Sequence, residues 1–98
     1  MKNYLKNLMN ENECVVFNED ILNNNKVNNA PIIINNTSFN VKIGDKIKEK
    51  HTQNYYEVFN IYRVYNIKTF DTVFLFMVKT NDNEYVINQN DIIDVKLN

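Results

Sequence analysis

One glycine, one proline, one alanine, one arginine, one cysteine and no tryptophan occur in 98 residues. Each shortage excludes something. A single glycine, Gly44, cannot make a glycine-rich phosphate loop, whose close backbone approach needs several such residues. A single cysteine, Cys14, cannot make an internal disulfide. It lies in the apolar run CVVF, where it reads as a small buried hydrophobe of a reducing compartment. With one cysteine and one histidine there is no metal-ligand spacing, so neither a metal nor a cofactor is expected. No window approaches the roughly 18 consecutive apolar residues of a membrane-spanning helix. Residues 1–13 carry lysines without the apolar centre of a secretory signal, so the expected location is cytoplasmic, with no membrane partner. A net charge of −1 provides no global basic field, which leaves nucleic acid only a local patch to bind.

Asparagine is what the chain has in excess, roughly a fifth of all residues, with lysine, isoleucine and tyrosine also plentiful. Residues with AT-rich codons abound and those with GC-rich codons are almost missing. This is the imprint of an AT-rich genome, and it fits a viral or phage accessory protein. Asparagine tolerates the left-handed backbone region, so Asn35-Asn36 and Asn81-Asp82-Asn83 are predicted turns. A glycine kept against that bias marks a backbone geometry that asparagine cannot supply. At 44% hydrophobic and 23% charged residues, the composition is that of a folded protein rather than a disordered one.

Periodicity gives the elements. Met1, Tyr4, Leu5, Leu8 and Met9 follow helical spacing and predict an amphipathic N-terminal helix. The run from Cys14 to Phe17 is either a strand or a continuation of that helix, and Asn18-Glu19-Asp20 could cap a brief helix through Ile21 and Leu22. An asparagine-rich connection follows, then PIII, a short edge strand with Pro31 at its start. Phe39, Val41 and Ile43 alternate with Asn40 and Lys42, as on a strand with one buried face. Residues 55–67, YYEVFNIYRVYNI, carry two mostly apolar alternating sets, so either both faces are covered or a bulge midway switches the inward face. Residues 73–78, VFLFMV, read as a central strand buried on both faces. Residues 84–87 return as a hairpin, residues 88–91 turn, and Ile92, Ile93, Val95 and Leu97 end the pattern.

The expected class is therefore mainly β with a minor helical part. The N-terminal helix and its connection occupy residues 1–38, and a five-stranded antiparallel barrel occupies residues 39–98. The run Val41-Lys42-Ile43-Gly44-Asp45-Lys46-Ile47 opens it, a long bent strand and a polar-tipped hairpin follow, and a short turn precedes Ile92-Ile93-Asp94-Val95. In this order of signals the chain resembles the SH3-like barrel superfamily. The resemblance covers residues 39–97 and implies a fold whose members bind proteins, peptides or nucleic acids and are seldom enzymes. A barrel this small cannot hide both faces of VFLFMV, so the N-terminal helix is expected to pack outside the sheet, and any uncovered remainder would serve a partner or a second copy.

Candidate chemistry is concentrated in one stretch. Lys42, Lys46, Lys48 and Lys50 alternate opposite Val41, Ile43 and Ile47, with Tyr55, Tyr56, Tyr62, Arg63 and Tyr65 just downstream. Lysines for phosphate and rings for stacking on one face would suit single-stranded nucleic acid or an acidic peptide, although a lysine-rich solvated face is the simpler account. His51 stands in a polar turn without an evident partner, and Asp82/Glu84 and Asp91/Asp94 fit no calcium loop. The leading expectation is a non-enzymatic protein-binding or assembly module whose partner is another protein or a second copy of the chain, with no small-molecule substrate in view. A nucleic-acid-binding barrel is the alternative, and a small enzyme is third.

Overall fold

The computed structural model describes residues 4–7, 16–18, 25–66, 71–81 and 83–98. These form strands β1 (Tyr4–Asn7), β2 (Val16–Asn18), β3 (Lys26–Val27), β4 (Asn29–Ile34), β5 (Thr37–Lys42), β6 (Lys46–Glu49), β7 (Tyr55–Asn66), β8 (Asp71–Thr80), β9 (Asn83–Asn88) and β10 (Ile92–Lys96). A 3-10 turn at Gln89–Asp91 precedes β10. The protein is thus mainly β, as its alternating hydrophobics require. One expectation is corrected. Tyr4 and Leu5, two members of the helical pattern, lie in strand β1, which pairs parallel with β9 and antiparallel with β2. A four-residue segment offered a free sheet edge takes its conformation from that pairing rather than from its own period. Met1, Leu8, Met9, Cys14, Glu19, Asp20, Ile21, Leu22, Ile67 and Asp82 lie outside the described residues.

The main sheet runs in the order β10-β6-β7-β8-β9-β1-β2, with β3 alongside β7, while β4 and β5 form a separate hairpin. No ladder joins the two ends among the described residues, so the sheet is open rather than a closed barrel. Strand β7 is long enough for its one edge to serve successive partners: β6 along residues 55–57 and β3 at Ile61 and Tyr62. Between them the Gly44-Asp45 turn continues the ladder, with Gly44 N–H donating to Val58 O at 2.8 Å and Val58 N–H donating to Asp45 O at 2.9 Å.

The two apolar sets of β7 are explained by a bulge. Its register against β8 slips between Val58 and Asn60, leaving Phe59 as the extra residue. Tyr56 and Val58 before the bulge, and Ile61 after it, join one core with Ile47, Phe76, Val78, Ile87, Ile92 and Val95. Phe59, Tyr62 and Val64 join Leu75, Met77 and Val86 in a second. Leu75, Phe76, Met77 and Val78 are all buried, so β8 is covered on both faces as its uninterrupted hydrophobicity demands. Each such side chain contributes about 1.5–3 kcal/mol through the surface it removes from water. The first core is roofed by the β4–β5 hairpin, which contributes Ala30, Ile32 and Val41. Cover on that side thus comes from a hairpin, the element that the asparagine turn makes possible.

That turn consists of Asn35 and Asn36, at φ 48° and 66°, and Asn81 at φ 49° marks the β8–β9 connection. Gly44 stands at φ 99°, further into positive φ than any of them. Asparagine serves the left-handed well near φ 57°, but a side chain is strained at 99°, which is why a glycine survives here. Because β5 ends at Lys42, Ile43 belongs to this turn and is exposed, not inward as its alternation predicts.

Candidate functional site

The outward face of β10, β6 and β7 is a small charged lattice. Opposite one another in register lie Lys96, Lys46 and Glu57, and beside them Asp94, Lys48 and Tyr55. Tyr55 Oη donates to Asp94 Oδ2, while Lys96 Nζ lies 4.1 Å and Lys48 Nζ 5.6 Å from the Tyr55 ring centroid. The bond from Tyr55, then the Val95 N–H and the charges of Lys48 and Lys96, hold the Asp94 carboxyl below its ordinary range. The same bond, together with lost solvation and the Asp94 charge, pushes the Tyr55 phenol up.

Of the residues nominated from sequence, only Lys46, Lys48 and Tyr55 meet here. Lys42 closes the β4–β5 hairpin opposite Asn29 on the other sheet. Lys50 follows β6 and its Nζ lies 3.2 Å from Asp91 Oδ1. Tyr56 turns inward against the first core, its hydroxyl bonded to Thr52 Oγ1 at 3.0 Å. Tyr62 is fully buried beside Met77, so it cannot stack on a ligand at the surface. The bulge brings Tyr62 to the same side of the sheet as Tyr55, but there it is covered by packing against Leu75, Met77 and Val86. Tyr65 is exposed, and Arg63 is exposed across from Phe74, far along β7 from the lattice.

Sequence reasoning passed over the acids between these lysines. Glu49 is fully buried, its Oε2 accepting the His51 N–H and its Oε1 the Thr52 N–H, both at 2.7 Å. His51 Nε2 lies 4.0 Å from the same carboxylate, a partner no local pattern nominated. Asp45 is buried too, accepting the Lys42 N–H at 2.8 Å and the Asn98 N–H at 2.7 Å. The legible signal is an acid followed by turn-forming polar residues, as in Glu49-Lys50-His51-Thr52, because a carboxylate can gather the N–H groups of such a turn. Among the described residues no group of histidine, cysteine or acidic side chains is placed to hold a metal ion. No helix among them is long and apolar enough to cross a membrane.

A different surface lies on the other side of β10. A groove of about 290 Å³ runs between β4 and the Gln89–Ile93 segment, with Ile33 and Ile93 beside the polar Asn35, Gln89 and Asn90. Ile33 is 74% exposed and Ile93 36% exposed. Ile93 is the extra residue of a second bulge, since Ile92 pairs with Glu49 and Asp94 with Lys48. Such a bulge re-aims a side chain, here out of the ladder and into the groove. Both flanking strands have an open edge: among the described residues β4 pairs only with β5 and β10 only with β6. No protein-family model, curated protein or solved structure matches the chain.

Proposed function

We propose that the chain is a non-enzymatic protein-binding module on an SH3-like frame, and that it receives an extended apolar segment of a partner protein at the edge of β4. Connectivity supports the frame. Strands β6 to β9 follow one another in the sheet, and β10 returns beside β6 after a 3-10 turn. This is the order of elements that the sequence resemblance implies.

The observation that carries the binding reading is the isoleucine groove between two unpaired strand edges. A two-residue turn makes Ile34 and Thr37 a hydrogen-bonded pair, and alternation then leaves Ile33 and Pro31 pointing their backbone groups away from β5. Pro31 has no N–H to offer, so the edge is blunted there, as edge prolines commonly do. Ile33 keeps both its N–H and its C=O free for a ladder. An incoming strand would pair at Ile33 and lay alternate apolar side chains beside Ile33 and Ile93. Strand addition works in this way: main-chain bonds give affinity and alternate side chains give specificity. The proline favours a short peptide strand over long edge-to-edge stacking.

The nucleic-acid reading is less well supported by the geometry. Tyr62 is buried, the Tyr55 ring is flanked by lysine amines and its hydroxyl held by Asp94, and Lys50 is paired with Asp91. The test is selection of binders from a random peptide library displayed on phage. Selected peptides should alternate β-branched or aromatic residues, and Ile33→Asp should abolish their binding while Lys46→Glu with Lys48→Glu leaves it intact. Binders indifferent to Ile33→Asp would overturn the reading. Oligonucleotide binding at low salt that is lost with the two lysine changes would replace it with the alternative. A wild-type dimer dissociated by Ile33→Asp would assign the groove to a second copy of the chain.

A further inference from the structure

A second open cavity, of about 520 Å³, lies where the chain passes from β3 into β4 above β7 and β8. Its walls are Val27, Asn28, Asn29 and Pro31, and its floor is Arg63 and Phe74. It falls within the roughly 300–1,000 Å³ usual for small-ligand sites. Arg63 is the only arginine in the chain. It stands directly across the β7–β8 ladder from Phe74, so guanidinium and ring share one face of the sheet at neighbouring positions. Arg63 is exposed, and among the described residues no carboxylate lies within ion-pairing distance of it. This contrasts with Lys48, Lys96 and Lys50, whose ammonium groups have an aromatic or acidic neighbour.

The backbone here is fixed rather than adaptable. The Arg63 N–H donates to Asn25 O at 2.9 Å, Val27 pairs with Ile61, and the Phe74 N–H donates to Gln89 Oε1 at 2.7 Å. Val27 is therefore anchored to the strand that carries Arg63, and Phe74 to the turn before β10. The cavity combines one unpaired planar cation, two asparagine amides and three apolar groups, Val27, Pro31 and Phe74. A guanidinium presents a fork of donors suited to a carboxylate or a phosphate, and the apolar surface beside it suits a flat hydrocarbon body. A neutral apolar ligand would leave the guanidinium without an acceptor, and a bare inorganic anion would leave the ring and proline uncovered.

The geometry points to a binding site for a small organic anion, with its carboxylate or phosphate on Arg63 and its apolar body against Phe74, Pro31 and Val27. This site adjoins the β4 edge used for the partner strand, with Asn29 and Pro31 on that same strand, but it does not depend on that reading. The experiment is a titration of the isotopically labelled full chain followed by amide NMR, using phenyl phosphate, phenylacetate, inorganic phosphate and benzyl alcohol as probes. One of the two aryl anions, at least, should cause saturable shifts centred on Asn28, Asn29, Arg63 and Phe74. Benzyl alcohol and inorganic phosphate should bind about tenfold more weakly or less, each lacking half of the recognition. Tighter binding of phenyl phosphate assigns a phosphate ligand, and tighter binding of phenylacetate a carboxylate. Arg63→Gln should weaken the better anion by about tenfold or more, with Arg63→Lys intermediate, since lysine keeps charge but not the fork. The thermal midpoint of each variant shows that the fold persists, as expected for an exposed side chain. Absence of saturable shifts at millimolar probe, or an Arg63→Gln variant that binds as well as the wild type, would overturn the site.

Discussion

On the outward face of β6, Lys46 and Lys48 sit among Lys96, Glu57, Asp94 and Tyr55, with water on their far side. On the inward face of the same four-residue strand, Ile47 and Glu49 are both fully buried. The lysines have neighbours of either sign at surface dielectric, where an exposed pair is worth at most about 1 kcal/mol. Glu49 has been removed from water, and its two oxygens hold the N–H groups that open the loop after β6. Equal charges in the sequence thus carry unequal weight, and cover decides which of them matters to the fold. The chain uses the same device twice, since Asp45 ties the preceding turn to the C-terminal Asn98.

The sharpest test of this contrast sets the two faces against each other. Glu49→Ala leaves two N–H groups without acceptors and a void beneath the loop, and should lower the unfolding free energy by about 2–4 kcal/mol. Lys48→Ala, one position away, should change it by less than about 0.5 kcal/mol. Urea unfolding of both variants measures the difference. Comparable losses would mean that the lattice is a structural element in its own right.

What could be read from sequence follows the same division. The Asn35-Asn36 turn, the bulge in β7 and the two-sided burial of β8 each leave a local trace: a residue type that tolerates positive φ, a doubled apolar set, an unbroken apolar run. The edge strand with its proline was legible too, although β4 begins at Asn29, with Pro31 third, because an outward-facing position needs no N–H. Strand β1 was not legible, since its conformation is decided by the edge of β9, residues distant in the chain. The candidate surface was half legible. Lys46, Lys48 and Tyr55 share a face by alternation, but Tyr62 reaches that side of the sheet only through the bulge at Phe59, and there the second core covers it. The isoleucine groove gave no signal, because Ile33 and Ile93 read as core residues until the hairpin and the second bulge turn them outward.

Gly44 provides a smaller effect that separates backbone from packing. A Cβ placed there meets nothing nearer than Asn98 Nδ2 at 3.5 Å, an ordinary contact. Any cost of Gly44→Ala therefore arises from φ 99° alone, and should be about 1–2 kcal/mol. Gly44→Asn should recover little of it, while Asn36→Gly, at φ 66°, should be nearly neutral. Thermal melts of the three variants would show this order. A fully tolerated asparagine at residue 44 would mean that codon bias, not geometry, explains the other turns as well.

The smallest effect belongs to the outward lattice and shows itself only through pH. Asp94 titrates below its ordinary value because it accepts from Tyr55, so its folded carboxyl binds a proton less readily than its unfolded one. Its contribution is fully present above about pH 4–5 and is lost as the pH falls through the lowered value. Tyr55 titrates above its ordinary value of 10.0, so its contribution is present below that pH and fades as the pH rises through the raised value. Tyr55→Phe deletes the shared bond. The stability difference between wild type and variant should be flat across neutral pH and shrink at both extremes, and the Asp94 carboxyl, followed by carbon NMR, should titrate higher in the variant. An unchanged Asp94 titration would show that Lys48 and Lys96, not the phenol, set its value. The outward face would then be a set of independent charges in water rather than a lattice.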